Sequence, residues 1–183
     1  MSSLHPDIIV IRGAPGVGKS QASKCLASHF PKGVRIEVDI LRAMVISVDW
    51  TDQTEHINML SVASGVVLDF LRLGYKPVIV VDTFSGNKLT QFLADIDVHG
   101  KGLDVRAFAL VAAPDVLKIR VENRPLGQFK DIDICQKLNK AVLKHIHPVE
   151  RMIDNSNLTP EETADVILTQ CTKAELCESH FTK

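Results

Sequence analysis

The sequence predicts an α/β fold in which helices cover both faces of a parallel sheet. Apolar segments of strand length alternate with segments of helical periodicity along the chain. The Val78–Val81 segment is apolar at every position and rich in β-branched residues, as in strands buried on both faces. A glycine-rich turn joins the first such segment directly to a helical one. The 183 residues can bury a sizeable core, and we expect one domain over residues 1–183.

Five segments are predicted as strands because they are short, apolar and bounded by turn residues. They are Ile8–Ile11, Val34–Val38, Val78–Val81, Val105–Val111 and, with the weakest pattern, Arg151–Asp154.

Helical spacing predicts helices in the intervals between these strands. The segments are one beginning at Ser20, Ile57–Leu71, Asp115–Arg124, Cys135–Ile146 and one beginning at Pro160. Gly74 is expected to end the second of them as a C-cap. Thr159 and Glu162 have the spacing of a capping box, which marks the start of the last helix.

Composition argues against several classes of partner. The formal net charge is −1 and no Lys/Arg-rich run is present, which disfavours nucleic acid and anionic membranes, although a local basic groove stays open. The four cysteines (Cys25, Cys135, Cys171 and Cys177) form no C-x-x-C pair, so we expect reduced, mostly buried thiols. No signal peptide or membrane-length apolar run is visible, which predicts a cytoplasmic protein.

A complete phosphate-binding motif follows the first predicted strand. Its eight residues are Gly13, Ala14, Pro15, Gly16, Val17, Gly18, Lys19 and Ser20, which satisfy G-x-x-x-x-G-K-[ST]. Glycines let backbone N–H groups converge on phosphate oxygens, and the following helix adds its positive end. Lys19 can reach the β- and γ-phosphates, and the Ser20 hydroxyl can ligate Mg²⁺. The motif therefore predicts binding of a nucleoside triphosphate with Mg²⁺.

Asp82 ends the third predicted strand, at the edge of the sheet where ligands bind in α/β folds. An apolar strand that ends in Asp after a phosphate-binding loop is typical of a Walker B element. We therefore expect Asp82 to hold Mg²⁺, directly or through water, beside the substrate. The alternative is an Asp that caps the following turn.

The segment that follows the second predicted strand contains three candidate residues for binding the acceptor of a reaction. Asp39 could accept the proton of an attacking hydroxyl, as a general base or an orienting group. Arg42 could hold an anionic acceptor through two hydrogen bonds, and Trp50 lies in a polar loop that would cover it. The alternatives are an Asp that caps the next helix, an Arg on a solvated face and a Trp that only anchors its loop.

Arg120 and Arg124 are four residues apart on a predicted helix, so they share one face. Arginines stabilise the charge that develops during phosphoryl transfer without changing protonation. Beside the short Pro125–Gln128 loop, they predict a small lid. The alternative is a solvated helix face on which Lys118 and Glu122 pair.

Taken together, the motif and these carboxylates and arginines resemble the small P-loop kinases, near the gluconate kinase-like, polynucleotide kinase-like and zeta toxin groups. The resemblance implies a three-layer P-loop NTPase fold whose five parallel strands follow the order 2-3-1-4-5. It implies ATP and Mg²⁺ as cofactors, an acceptor segment about residues 40–60 and a lid about residues 120–131. It also places Asp154 and Asn155 near the adenine.

The predicted function is transfer of the γ-phosphoryl group of ATP to a hydroxyl of a small molecule, such as a sugar, sugar acid, nucleoside or antibiotic. One alternative acceptor is a polynucleotide 5′-hydroxyl. Another is an ATPase or switch that acts on a protein partner. The guanine-recognition motif Asn-Lys-x-Asp is missing, and Thr83 stands where an AAA-type ATPase has a Glu. The sequence carries no signal for the oligomeric state.

Overall fold

A computed structural model of the chain describes residues 5–99 and 102–172. Within them, five parallel strands form one sheet in the order β2-β3-β1-β4-β5, as the resemblance implied. The strands are β1 (Ile8–Arg12), β2 (Val34–Glu37), β3 (Val78–Asp82), β4 (Val105–Val111) and β5 (Glu150–Asp154). Cys177 and the polar tail around it lie outside the described residues.

Helices connect the strands and cover the sheet. They are α1 (Lys19–Ala27), α2 (Val38–Arg42), α3 (Gln53–Arg72), α4 (Lys88–His99), α5 (Pro114–Glu122), α6 (Ile132–Lys144) and α7 (Pro160–Thr172). The strand prediction was wrong at Val38, which is the first residue of α2 rather than the last of β2. The helix predicted to end at Arg124 instead ends at Glu122.

The sheet is packed on both faces, with β1 at its centre. Ile9 and Ile11 point into a core formed with α1, α5, α6 and α7. Ile8 and Val10 point into the opposite core, which α3 and α4 complete. Residues of β1 and β3 are therefore buried at consecutive positions, which is the physical reason for the uninterrupted apolar segments.

Local signals fixed several helix ends. Thr159 and Glu162 form the predicted capping box: the Thr159 N–H donates to Glu162 Oε2 at 2.8 Å and the Glu162 N–H to Thr159 Oγ1 at 3.1 Å. The C-cap of α3 is Leu73, and Gly74, predicted as the C-cap, follows it at φ 82°. Ile57 and Ile146, at the outer ends of two segments predicted as helices from their apolar spacing, are exposed.

An ion pair lies beneath the phosphate-binding loop. The Arg12 guanidinium, directly before Gly13, is 2.6 Å from Glu150 at the start of β5, and both side chains are buried. Arg12 also donates to the carbonyls of Phe84 (3.2 Å) and His145 (2.6 Å). Burial raises the pKa of Glu150, while a backbone hydrogen bond from His147 and the charge of Arg12 oppose that rise. The pair joins the end of β1 to the edge strand.

Candidate active site

The glycines of the phosphate-binding loop are required by its shape. Gly13, Gly16 and Gly18 have φ of 152°, 86° and 103°, a region that side chains disfavour. A Cβ on Gly13 would lie 2.5 Å from the Leu110 carbonyl oxygen, and one on Gly16 would lie 2.6 Å from a methyl of Val121. The loop is therefore packed closely against its surroundings, and α1 begins directly at Lys19.

Lys19 is half-buried above the loop. Its ammonium group donates to the carbonyls of Gly13 (2.8 Å) and Ala14 (3.1 Å). Burial lowers the pKa of Lys19 to about 8, although the nearby carboxylates of Asp82 and Asp39 oppose that fall. An anion bound in the loop would restore the preference for the charged form, so this lysine is suited to a polyphosphate ligand.

A cleft of about 630 Å³ opens over the loop and extends along the ends of β2 and β3. Five cationic side chains and two carboxylates line it: Lys19, Lys24, Arg35, Arg120, Arg124, Glu37 and Asp39. The two lysines come from α1, two of the arginines from α5 and the residues after it, and Arg35 with the two carboxylates from β2 and α2. The cleft therefore combines cations suited to phosphates with carboxylates suited to a proton donor.

Asp39 lines this cleft from the first turn of α2. The N-cap of α2 is Glu37, so the alternative of a capping Asp39 does not hold. The residue is exposed, but partial loss of hydration raises the pKa of its carboxylate, and the charge of Asp82 adds to the rise. Lys19 and Arg42 oppose it. A raised carboxylate pKa makes Asp39 a better proton acceptor than an ordinary surface Asp.

Hard oxygen atoms meet at the start of α1. The Ser20 hydroxyl donates to Glu37 Oε2 at 3.2 Å, and the other carboxylate oxygen of Glu37 pairs with Arg35. Among the described residues, no cluster of three or more His, Cys, Asp or Glu side chains could hold a metal by itself. A hydroxyl and one carboxylate nonetheless fit Mg²⁺, which is held by few protein ligands when substrate phosphates supply the others.

Asp82 is 4% exposed, and it is the flanking Val81 and Thr83 that line the cleft. Its Oδ1 lies 3.0 Å from His56 Nε2, and its Oδ2 accepts the Phe84 N–H at 2.6 Å. Burial favours a raised pKa for Asp82, but the hydrogen bonds from His56 and Phe84 together with the charge of Lys19 lower the pKa. The turn-capping alternative is thus observed, and both oxygens already have partners within the protein.

Arg120 joins the phosphate-binding loop to the segment after β5. It donates to the carbonyls of Val17 (3.3 Å), Asn155 (2.9 Å) and Ser156 (3.3 Å), and to the Asn155 side chain (3.1 Å). The buried Asn155 amide also donates to the Val17 carbonyl at 2.8 Å. Asp154, its neighbour, is exposed and accepts from Ser156. Arg120 is therefore fixed beside the loop.

Arg124 has different surroundings. It follows the end of α5 and donates to the Gln128 side chain at 2.9 Å and the Phe129 carbonyl at 2.7 Å, both within the exposed connection to α6. Lys118 and Glu122 form the exposed pair that was considered as an alternative, at 3.9 Å. Arg124 still lines the cleft, so the predicted lid segment contains one arginine that is fixed and one held by lid residues alone.

Arg42 and Trp50 organise the loop after α2 rather than the cleft. Arg42 is 5% exposed, which excludes a solvated position. Its guanidinium lies 4.8 Å from the Trp50 ring centroid, donates to the Asp49 carbonyl at 3.1 Å and approaches Glu55 at 3.8 Å. Of the three residues predicted for the acceptor side, only Asp39 is among those that line the cleft.

Residues 8–149 match the family model described as "AAA domain". The chain belongs to this family. The match includes the phosphate-binding loop and every strand except β5. A search of curated proteins found no match.

Solved structures similar to this chain include proteins named as kinases. The tunicamycin resistance protein of Deinococcus radiodurans is 20% identical, with 90% of this chain and 95% of that chain covered and a TM-score of 0.65. A gluconokinase from Sinorhizobium meliloti 1021 is 18% identical over 96% and 99% of the two chains, with a TM-score of 0.66. The APS kinase of Mycobacterium tuberculosis, solved with AMPPNP and APS, is 13% identical over 90% and 96%, with a TM-score of 0.65. At these identities the likeness shows the fold.

Sequence reasoning missed two parts of this AAA domain site. Glu37 precedes Asp39 by two residues at the end of β2, a position that already placed it at the ligand edge of the sheet. Lys88 contacts His56, 32 residues away, and His56 contacts Asp82, although no sequence pattern links the three. The first could have been found from the strand end, whereas the second needed the tertiary structure.

Proposed function

We propose that this protein is an ATP- and Mg²⁺-dependent phosphotransferase that moves the γ-phosphoryl group to a hydroxyl of a small molecule. The observation that carries the proposal is the cleft, which is lined both by the phosphate-binding loop with Lys19 and by the Asp39 carboxylate. The names of similar structures support a kinase, since they include a gluconokinase and an APS kinase solved with AMPPNP.

In this proposal the loop amides and the α1 N-terminus hold the phosphates, and Lys19 moves from its loop carbonyls to the β- and γ-phosphates. Arg120 and Asn155 fix the loop against the segment after β5, and the nucleoside lies on that side with Asp154 nearby. Because Arg120 already has four acceptors, its role is to position the nucleotide.

The acceptor hydroxyl lies beside Asp39, which takes its proton as the new O–P bond forms and the bond to the β-phosphate oxygen breaks. ADP leaves with the electrons of that bond. Arg124 then acts from the lid on the charge of the transferring group. Arg42 and Trp50 hold the acceptor loop in place behind Asp39.

Mg²⁺, when bound, neutralises phosphate charge and orients the β- and γ-oxygens. Ser20 and Glu37 are the residues that would hold it directly, because their oxygens already meet at the cleft. Both Asp82 oxygens already accept hydrogen bonds within the protein. Asp82 would therefore contact Mg²⁺ only through water, or influence the site through its charge on Lys19.

The small-molecule acceptor is favoured over a polynucleotide because no basic run extends the cleft's cations along the chain. Among the described residues, no helix is long and apolar enough to cross a membrane. Cys135 and Cys171 are buried free thiols, which supports the proposed cytoplasmic location.

A phosphate-transfer screen tests the proposal. The full chain would be incubated with γ-labelled ATP, Mg²⁺ and a hydroxyl panel of sugars, sugar acids, nucleosides, antibiotics and 5′-hydroxyl oligonucleotides. We expect label on one small-molecule class, and a loss of about a thousandfold in Lys19→Ala because charge on the transferring group is left unneutralised. Lys118→Ala, an exposed lysine on α5, is the matched control.

Label only on oligonucleotides would instead favour the polynucleotide alternative. Label released solely as inorganic phosphate would favour an ATPase. Wild-type turnover in Lys19→Ala would overturn phosphotransfer at this loop altogether.

A further inference from the structure

Lys88, at the first position of α4, is 6% exposed. Its ammonium nitrogen lies 2.7 Å from His56 Nδ1 and donates to the Gln53 side-chain oxygen at 2.6 Å. A charged lysine is expensive to bury without partners, so this position is strongly determined by its neighbours.

The direction of these hydrogen bonds determines which ring nitrogen of His56 carries the proton. An ammonium group can only donate, so His56 Nδ1 must accept, and the ring proton must be on Nε2. That Nε2–H then donates to Asp82 Oδ1 at 3.0 Å. A single chain of donors therefore runs from Lys88 through His56 to Asp82, across α4, α3 and the end of β3.

The third residue of this chain matters to the cleft. Val81 and Thr83, on either side of Asp82, line the cleft, and the Asp82 charge is the largest influence that keeps Lys19 protonated against its burial. The Phe84 N–H holds the other carboxylate oxygen at 2.6 Å. The orientation of the carboxylate is thus fixed from both sides.

We propose that Lys88 and His56 are positioning residues for phosphoryl transfer: they hold the Asp82 carboxylate in one orientation beneath the cleft. This inference rests on the proposed function, but the hydrogen-bond chain itself can be tested without any turnover. Hydrogen-bonded partners behind site residues commonly change activity by about tenfold or more when removed.

The first experiment measures the tautomer of His56 by ¹⁵N NMR of the full labelled chain, with His56→Gln used to assign the signal. We expect a protonated Nε2 and an acceptor Nδ1, and a displaced Nδ1 resonance in Lys88→Met. Lys118→Met, a lysine exposed on α5, should leave it unchanged. A ring protonated on Nδ1 alone, or an Nδ1 resonance that is unchanged in Lys88→Met, would overturn the proposal. Neither result depends on knowing the phosphoryl acceptor.

The second experiment compares ATP turnover in His56→Gln and His56→Leu. It uses the acceptor from the screen or, without one, water. Glutamine can accept from Lys88 and donate to Asp82, whereas leucine fills the site without hydrogen bonds. We expect His56→Leu to lower kcat about tenfold with KM for ATP nearly unchanged, and His56→Gln to restore most of the loss. Equal losses in the two variants would show a packing role and contradict the inference. An inactive wild-type protein would count against the proposed function alone, because the NMR experiment tests the hydrogen bonds from Lys88 through His56 to Asp82 independently of activity.

Discussion

The donor and acceptor halves of the cleft are held in different ways. On the donor side, Arg120 and Asn155 form a network of hydrogen bonds to backbone carbonyls around glycines whose positive φ makes any substitution strained. On the acceptor side, the loop after α2 depends mainly on Arg42, and Met44 and Ile46 are exposed. Under the proposed function, phosphate binding depends on groups held by the fold itself, whereas acceptor choice depends on a loop whose side-chain contacts centre on Arg42.

The largest expected effect that tests this comparison is at Asp39. Asp39→Asn should lower phosphoryl transfer about a hundredfold, because an amide cannot take the hydroxyl proton, while ATP affinity is retained. Transfer rate and ATP binding by calorimetry would be measured together. Asp133→Asn, an exposed change in the first turn of α6, is the control. A large loss of ATP affinity in Asp39→Asn would move this residue to the donor half.

Substitutions of the two lid arginines should affect different steps, ATP binding for Arg120 and phosphoryl transfer for Arg124, each by about tenfold. Arg120→Met removes hydrogen bonds that position the nucleotide loop, so we expect weaker ATP binding and a lower midpoint of thermal unfolding. Arg124→Met leaves the loop intact and should lower kcat with ATP affinity preserved. Binding isotherms and steady-state kinetics of both variants give the comparison. Identical behaviour would show that the arginines act as one unit.

Trp50→Ala should have an effect of only a few-fold, confined to the acceptor. The change removes the ring that packs on the Arg42 guanidinium and loosens the loop without touching the phosphates. We expect a higher KM for the acceptor and an unchanged KM for ATP, read from initial rates at varied concentrations of each. A changed KM for ATP alone would contradict the separation of the halves.

The smallest predicted effect is the uptake of a fraction of one proton by Lys19 when ATP binds. Lys19 has a pKa of about 8 in the free protein, and bound phosphates favour its charged form. Below about pH 7 the lysine is already protonated, so ATP binding takes up no proton at this residue; near pH 9 it must take one up, and affinity falls as pH rises. Calorimetry in buffers of different ionisation enthalpy measures this uptake. Lys19→Met should abolish the difference between the two conditions.

The sequence predicted the donor half better than the acceptor half, for physical reasons. A loop that cradles phosphate needs glycines and a lysine at fixed spacing, so Gly13–Ser20 identified both the strand before it and the helix after it. The strand order came from family resemblance, because periodicity alone gives the elements and not their neighbours. Helix α2 is five residues long, too short for a periodic pattern to mark.

Helix α4 was not predicted, although Leu89, Phe92 and Ile96 recur at helical spacing and are buried. The sequence could not predict that the Arg42 and Asp82 side chains are buried against partners rather than facing the cleft, for a different reason. Whether a polar side chain faces a cleft or a buried partner depends on residues far along the chain, here Glu55 and His56. Roles for the predicted site residues accordingly remain predictions for the experiments above.

The Arg12–Glu150 pair has a consequence for how the molecule opens. Edge strands are commonly where a sheet frays first, through local openings far cheaper than complete unfolding. If β5 detached here, a buried guanidinium directly before Gly13 would lose its carboxylate, a change that costs about 3–5 kcal/mol when one partner of a buried pair is removed. Fraying at this edge is therefore suppressed, and the nucleotide loop and the last strand are expected to open as one cooperative unit.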